Sequence, residues 1–358
     1  MDIGYWLSRP QPNWQRRATQ LARRLQVKAG RIDVELAPRL LALAFTDRIA
    51  QRRGQDGRYL LANGMGAAMN QDEALSRAPW LIVPSLLQGH NSPDARILLA
   101  LPVEIDALAA QLPAMVSQQT AVEWDEEKGT LRAWKRQQIG RLTLRAQPLA
   151  KPADEELQQA LINWVRAQGI AVLNWDTAAE QLRLRLQCAQ NWLPEAAWPP
   201  VDDESLLASL EQWLLPSLGG VRDLRGLKQV NIAEALARLL NWQQKQRLDN
   251  ALPTHYTVPT GSRLPIRYDA GKPPALAVRL QEVFGEQRSP MLAEGRIPVV
   301  LELLSPAHRP LQITGDLAAF WQGAYREVQK EMKGRYPKTV WPHDPANTAP
   351  TRRTKKYQ

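Results

Sequence analysis

The chain has 358 residues, with 46 Lys and Arg against 36 Asp and Glu, a formal charge of +10, and 44% hydrophobic residues. That apolar content builds sizeable cores and excludes a disordered or collagen-like polymer, and the length points to two or more domains. A single cysteine, Cys188, excludes an internal disulfide and fits a reducing, cytoplasmic setting, while the absence of any run of about 18 apolar residues argues against a membrane span or a secretory signal.

Between residues 14 and about 29, Ala18, Leu21, Ala22 and Leu25 recur at three- and four-residue spacing among arginines, which predicts an amphipathic helix stopped by Gly30. A second helix is expected from Asp33 as N-cap through Leu36, Leu40, Leu41 and Leu43. The period then changes. Short apolar runs at 58–62, 80–84 and 96–103, set between Gly, Asn, Asp and Pro, read as strands of a small barrel. Residues 121–124, 131–134 and 140–145 read as a meander with a turn at 125–129, and its Arg132, Lys135, Arg136, Arg141 and Arg145 would extend a basic surface. Helices return at 154–168, at 178–188, at 202–215 and at 231–248, with a Pro- and Trp-rich link at 192–200. Strands are expected again at 256–259, 264–268 and 297–304, the first two joined by a Thr-Gly-Ser turn. A last helix at 317–333 precedes a Pro-rich tail. No internal repeat is visible.

Catalytic motifs are missing. There is no G-x-x-x-x-G-K-[ST], no G-x-S-x-G, no H-E-x-x-H and no G-x-G-x-x-G opening a helix. Ala270-Gly271-Lys272-Pro273 has the Gly-Lys pair without the upstream glycine or the hydroxyl, and reads as a turn. His90, His255, His308 and His343 are scattered beside turn residues, and Cys188 reads as a small buried hydrophobe. Asp202-Asp203 stands where a helix start favours acids. No catalytic centre, metal site or resident cofactor is expected of this chain alone.

The charge is unevenly placed. Residues 1–60 hold 12 basic and 5 acidic side chains and residues 319–358 hold 9 and 3, so the ends carry +7 and +6 around a middle of −3. Local clusters of this kind suit a polyanion. One cluster is Arg48, Arg52, Arg53 and Arg58. The other is Arg326, Lys330, Lys333 and Arg335, interleaved with Trp321, Tyr325, Val328 and Met332 at helical spacing. Rings that stack on bases beside cations that neutralise phosphates are what single-stranded nucleic acid requires, but the same aromatic stripe would serve equally as core and the basic one as a solvated face.

In combination these segments resemble a known family. Ala42-Leu43-Ala44-Phe45-Thr46-Asp47-Arg48-Ile49-Ala50 with Arg52-Arg53-Gly54, Arg58-Tyr59-Leu60-Leu61-Ala62-Asn63-Gly64 and Pro79-Trp80-Leu81-Ile82-Val83 resemble the region after the motor in the HrpB-type DEAH/RHA helicases of bacteria, as do Leu214-Leu215-Pro216-Ser217-Leu218 and Ala277-Val278-Arg279-Leu280-Gln281-Glu282-Val283-Phe284-Gly285. The most specific match is Lys330-Glu331-Met332-Lys333-Gly334-Arg335-Tyr336-Pro337-Lys338 with Trp341-Pro342 and Asp344-Pro345, departing at Thr339 where the family usually shows His. The resemblance implies a multi-domain α+β chain: the end of a helical bundle at 1–30, an OB-type β-barrel at 31–148, a family-specific mixed domain at 149–345 and a basic flexible tail at 346–358. It implies the rear portion of an ATP-dependent helicase whose RecA-like motor, with ATP and Mg, is absent from this sequence. Its expected partners are single-stranded nucleic acid, RNA ahead of DNA, the motor domains and a regulatory protein. The alternative is a protein-interaction module docking on the motor or a partner.

Overall fold

Of Ile49–Arg52, Arg58–Leu61, Gly66–Ala68, Trp80–Leu87 and Asp94–Pro102, here β1 to β5, the second, third and most of the fifth alternate buried with more exposed side chains, while β1 and β4 bury consecutive residues, Ile49-Ala50 and Leu81-Ile82-Val83. In the computed structural model these strands close into a barrel of order β1-β2-β3-β5-β4. Residues 2–9, 11–89 and 92–353 are described, and they divide into two units, 1–123 with 132–152 and 124–131 with 153–358. His90 lies outside the described residues, as does the 354–358 end of the expected tail.

The barrel is antiparallel except where β3 runs parallel to β5. Pro84 has no N–H to give the ladder, and the β4–β5 register shifts between Ile82 and Ser85 around it. Tyr59 fills the interior and donates its hydroxyl to the carbonyls of Leu75 (2.8 Å) and Ala78 (3.0 Å), with burial pushing its phenol up to about 12. Two of the strands, β1 and β3, were not expected from the sequence. Both are short, and β3 is Gly-Ala-Ala, which carries no β-propensity and forms only because β2 and β5 flank it. The meander is present: Ser117–Asp125, Thr130–Ile139 and Leu142–Pro148, β6 to β8, form a three-stranded sheet.

The basic helix near the start runs over Pro12–Arg24, beginning two residues earlier and ending five residues earlier than its periodicity suggests. Gln26 takes a left-handed conformation (φ 55°), the Gln26 and Val27 amides return to the carbonyls of Arg23 and Ala22, and the helix is closed before Gly30 is reached. None of its residues is buried.

The second unit has a single large core. Helices Asp154–Gln168 and Thr177–Trp192 pack with a series of shorter ones against a five-stranded sheet of His255–Thr257, Arg263–Arg267, Ala275–Arg279, Val300–Leu304 and Pro310–Thr314. Numbered in chain order, with the hairpin strands Met291–Leu292 and Ile297–Pro298 as β12 and β13, the sheet reads β15-β14-β11-β10-β9. Its central β11–β14 pair is parallel and fully apolar inward. Buried Arg185 donates to the carbonyls of Leu252 and Leu248 and to Asp249, closing the end of helix Trp242–Ala251.

Three expected helices are each broken. The 202–215 stretch divides at Ser209, and 231–248 becomes Ile232–Ala237 and Trp242–Ala251 because the Asn241 side chain accepts the Gln244 amide and restarts the helix. The 317–333 stretch becomes Leu317–Gln322 and Tyr325–Arg335, parted at Gly323. Asp154 is the first helical residue rather than the cap, which is Ala153. Cys188 is buried in the helical core and its thiol is pushed up to about 11 by that burial. No helix among the described residues is long and apolar enough to cross a membrane.

Candidate nucleic-acid interface

The aromatic half of the C-terminal pattern belongs to the core. Trp321, Tyr325 and Met332 are buried, Phe284, Phe320, Trp321 and Tyr325 pack ring against ring at 5.2–6.5 Å, and Tyr325 donates to the Pro342 carbonyl. These rings are not available to stack on bases. The basic half faces outward. Arg326, Lys330 and Lys333 fall within about 60° of arc on helix Tyr325–Arg335. All three are exposed and, among the described residues, none of their side chains has a hydrogen-bond or ion-pair partner. Arg335 is apart from them on the helix and pairs with Glu331 at 3.6 Å. Glu327 and Glu331 form the neighbouring row.

The first cluster lies in the other unit and is organised by acids. Arg53 Nη2 and Arg58 Nη1 each approach Asp94, one oxygen apiece, at 2.7 Å. Arg52 bonds Asp56 (3.0 Å) and the Arg77 carbonyl, and Arg77 shares Asp56 at 3.5 Å. Arg48 turns instead to the Pro84 carbonyl (3.3 Å) and lies 3.8 Å from Asp47. The four arginines therefore form a pair on Asp94 and two separate positions. Gly66 makes the pair possible: a Cβ there would meet Asp94 Oδ1 at 1.8 Å and Arg53 Nη2 at 2.5 Å, so the ion pair occupies the space a side chain would fill. On the meander, Arg136 pairs with Glu123 and Arg145 with Asp106.

Sequence reasoning missed Arg96. It is exposed on β5, level with Ala68 and so in one row with Arg58, and its signal was only the strand alternation that puts Asp94 and Arg96 on the outward face. It also missed the aromatic group Tyr5, Trp6 and Trp14, partly exposed and in edge contact, with the Arg9 guanidinium 4.8 Å from the Tyr5 ring centre.

The Gly271-Lys272 turn does not fit a nucleotide phosphate cradle, since Lys272 Nζ is tied to Asp269 at 2.8 Å. Among the described residues no group of three or more His, Cys, Asp or Glu could hold a metal ion.

Comparison with known proteins matches residues 213–345 to a family model described as ATP-dependent helicase C-terminal, and residues 115–149 to one described as the connector region of the ATP-dependent RNA helicase HrpB. The ATP-dependent RNA helicase HrpB of Escherichia coli strain K12 is 65% identical over 99% of this chain, which spans 44% of that protein. A crystal structure of the E. coli DExH-box NTPase HrpB superposes with a TM-score of 0.59 at 64% identity, covering 99% of this chain and 44% of that one. A crystal structure of the Escherichia coli DEAH/RHA helicase HrpB gives 0.52 at 59% identity, covering 95% and 42%. The chain belongs to the HrpB helicase family, corresponds to its connector and C-terminal regions, and spans less than half the length of the relatives it matches.

Proposed function

We propose that the chain is the accessory region of an ATP-dependent RNA helicase, that it binds single-stranded nucleic acid, RNA ahead of DNA, without reading sequence, and that through this hold it regulates the motor. The observation that carries the reading is the row Arg326, Lys330 and Lys333, three exposed cations with no acid drawn onto them. Unpaired Lys and Arg on a rigid helix gain the full benefit of counterion release, whereas cations already on carboxylates have less to gain. In this reading the barrel is of OB type, the initial helices are the end of a helical bundle, and the RecA-like domains with ATP and Mg lie outside this chain in a cytoplasmic protein. The test is titration of a labelled oligoribonucleotide with the whole chain over a series of salt concentrations. Replacing Arg326, Lys330 and Lys333 by Gln should lower the log–log salt slope by about two to three. Unchanged affinity and slope would remove the reading.

A second reading is favoured by a different observation. Between residues 21 and 43 eight large apolar side chains stand exposed, Leu25 at 65% and Leu40 at 60% among them. An apolar run of this kind marks a protein contact. Here the chain docks on its own motor domains or on a regulatory protein. A complex with separately produced motor domains that survives high salt and is lost on Leu25→Glu with Leu40→Glu supports it.

A further inference from the structure

On the outer face of the barrel, β2, β3 and β5 bring two rows of residues into register. Antiparallel pairing sets Arg58 opposite Ala68, and parallel pairing sets Ala68 beside Arg96, so two arginines flank one methyl group. With neighbouring strands about 4.8 Å apart, their backbones are about 10 Å from one another, and both side chains line the same trough. The next row is Leu60, Gly66 and Asp94. There the Asp94 side chain, only 9% exposed, holds Arg53 on one oxygen and Arg58 on the other across the bare Gly66. Arg58 keeps half its side chain in solvent, and Arg96 is exposed with no side-chain partner among the described residues. With Ala68, Met69, Asn70, Glu73 and Leu87 the two arginines line a trough of about 490 Å³.

We infer that this trough is a phosphodiester-binding groove for a single strand, with Arg96 as the anchor, Arg58 as the second fork and Asp94 as the positioning residue that fixes Arg58 beside it. This rests on the nucleic-acid reading above and names where on the barrel the strand is held. Three arginines against Asp94 and Glu73 leave one net positive charge, and Arg96 supplies it uncompensated. A guanidinium fork presents paired N–H donors to two phosphate oxygens, which a single lysine does not. Between the two arginines Ala68 presents only a methyl group to an approaching backbone.

The test uses the whole chain and three probes: a labelled oligouridylate, its oligothymidylate counterpart and inorganic phosphate. Arg96→Gln is expected to weaken oligonucleotide binding about tenfold at low salt, to lower the salt slope by about one, and to leave thermal unfolding unchanged because the side chain is exposed. Arg96→Lys should recover part of the loss only. If Arg96→Gln and Arg58→Gln both bind as the parent does while the Arg326, Lys330 and Lys333 substitutions weaken binding, the groove is overturned and the nucleic-acid reading stands. If the parent chain binds neither oligonucleotide in a salt-dependent way, both fall. Binding of inorganic phosphate that depends on Arg96, with no Arg96 effect on either oligonucleotide, would make this a free-anion site and overturn the assignment to a strand.

Discussion

At Asp94 one carboxylate, nine-tenths buried, serves two arginines from β2 and the turn before it. An amide in its place would keep one acceptor oxygen and turn an NH2 donor toward the other arginine in a crowded place. Asp94→Asn should therefore destabilise the first unit by about 1–3 kcal/mol, read as a shift in its urea midpoint at constant slope; no shift would mean that the pair contributes nothing to the fold. Glu195 is the corresponding centre in the second unit. Hydrogen bonds from Arg296, its strongest influence, and from Arg247 hold its carboxyl at about 2, below its ordinary 4.5. A carboxylate depressed by folding stabilises fully above its ordinary range, and that contribution disappears as pH falls from about 4.5 to about 2. The denaturant midpoint of the second unit should decline over this window and decline less steeply in Glu195→Gln; parallel declines would show that the network is not coupled to folding.

Helix boundaries were the least legible elements. Periodicity registers which residues are apolar but not whether a side chain competes for the next turn's amides. Asn241 lies in an unbroken helical pattern, yet its side chain accepts the Gln244 amide and the Gln244 side chain accepts its own, so a new helix begins. Asn241→Ala should cost about 1 kcal/mol, and Asn241→Asp much less, in equilibrium unfolding; an equal cost for both would show that the cap is not the reason. Gln26 ended a helix in the conformation usually given to glycine, which no residue-type rule would have marked. By contrast β2, β4 and β5 and the three meander strands each formed at an expected apolar run, although most extend beyond it. β3 escaped notice because Gly-Ala-Ala is strand only through its neighbours.

For the whole molecule, each unit carries one of the two basic ends. If each offers a phosphate-binding surface of its own, neutralising Arg58 with Arg96 and neutralising Arg326, Lys330 and Lys333 should lower the salt slope of RNA binding by separate, additive amounts of about one to two and about two to three. A combined variant that falls no further than the stronger single set would show that only one surface binds. The sequence by itself determined the mixed α+β character, the uneven charge, the missing catalytic motifs and the family resemblance, all of which depend on residue types and local order. The tertiary structure alone decided which cations are available. Arg53 and Asp94 are 41 residues apart, and only barrel closure draws the acid under Arg53 and Arg58 and aligns Arg96 beside them. Likewise only packing removed Trp321 and Tyr325 to the core while leaving Arg326, Lys330 and Lys333 outside. Charge can be counted along a chain, but whether it is neutralised depends on distances that folding sets.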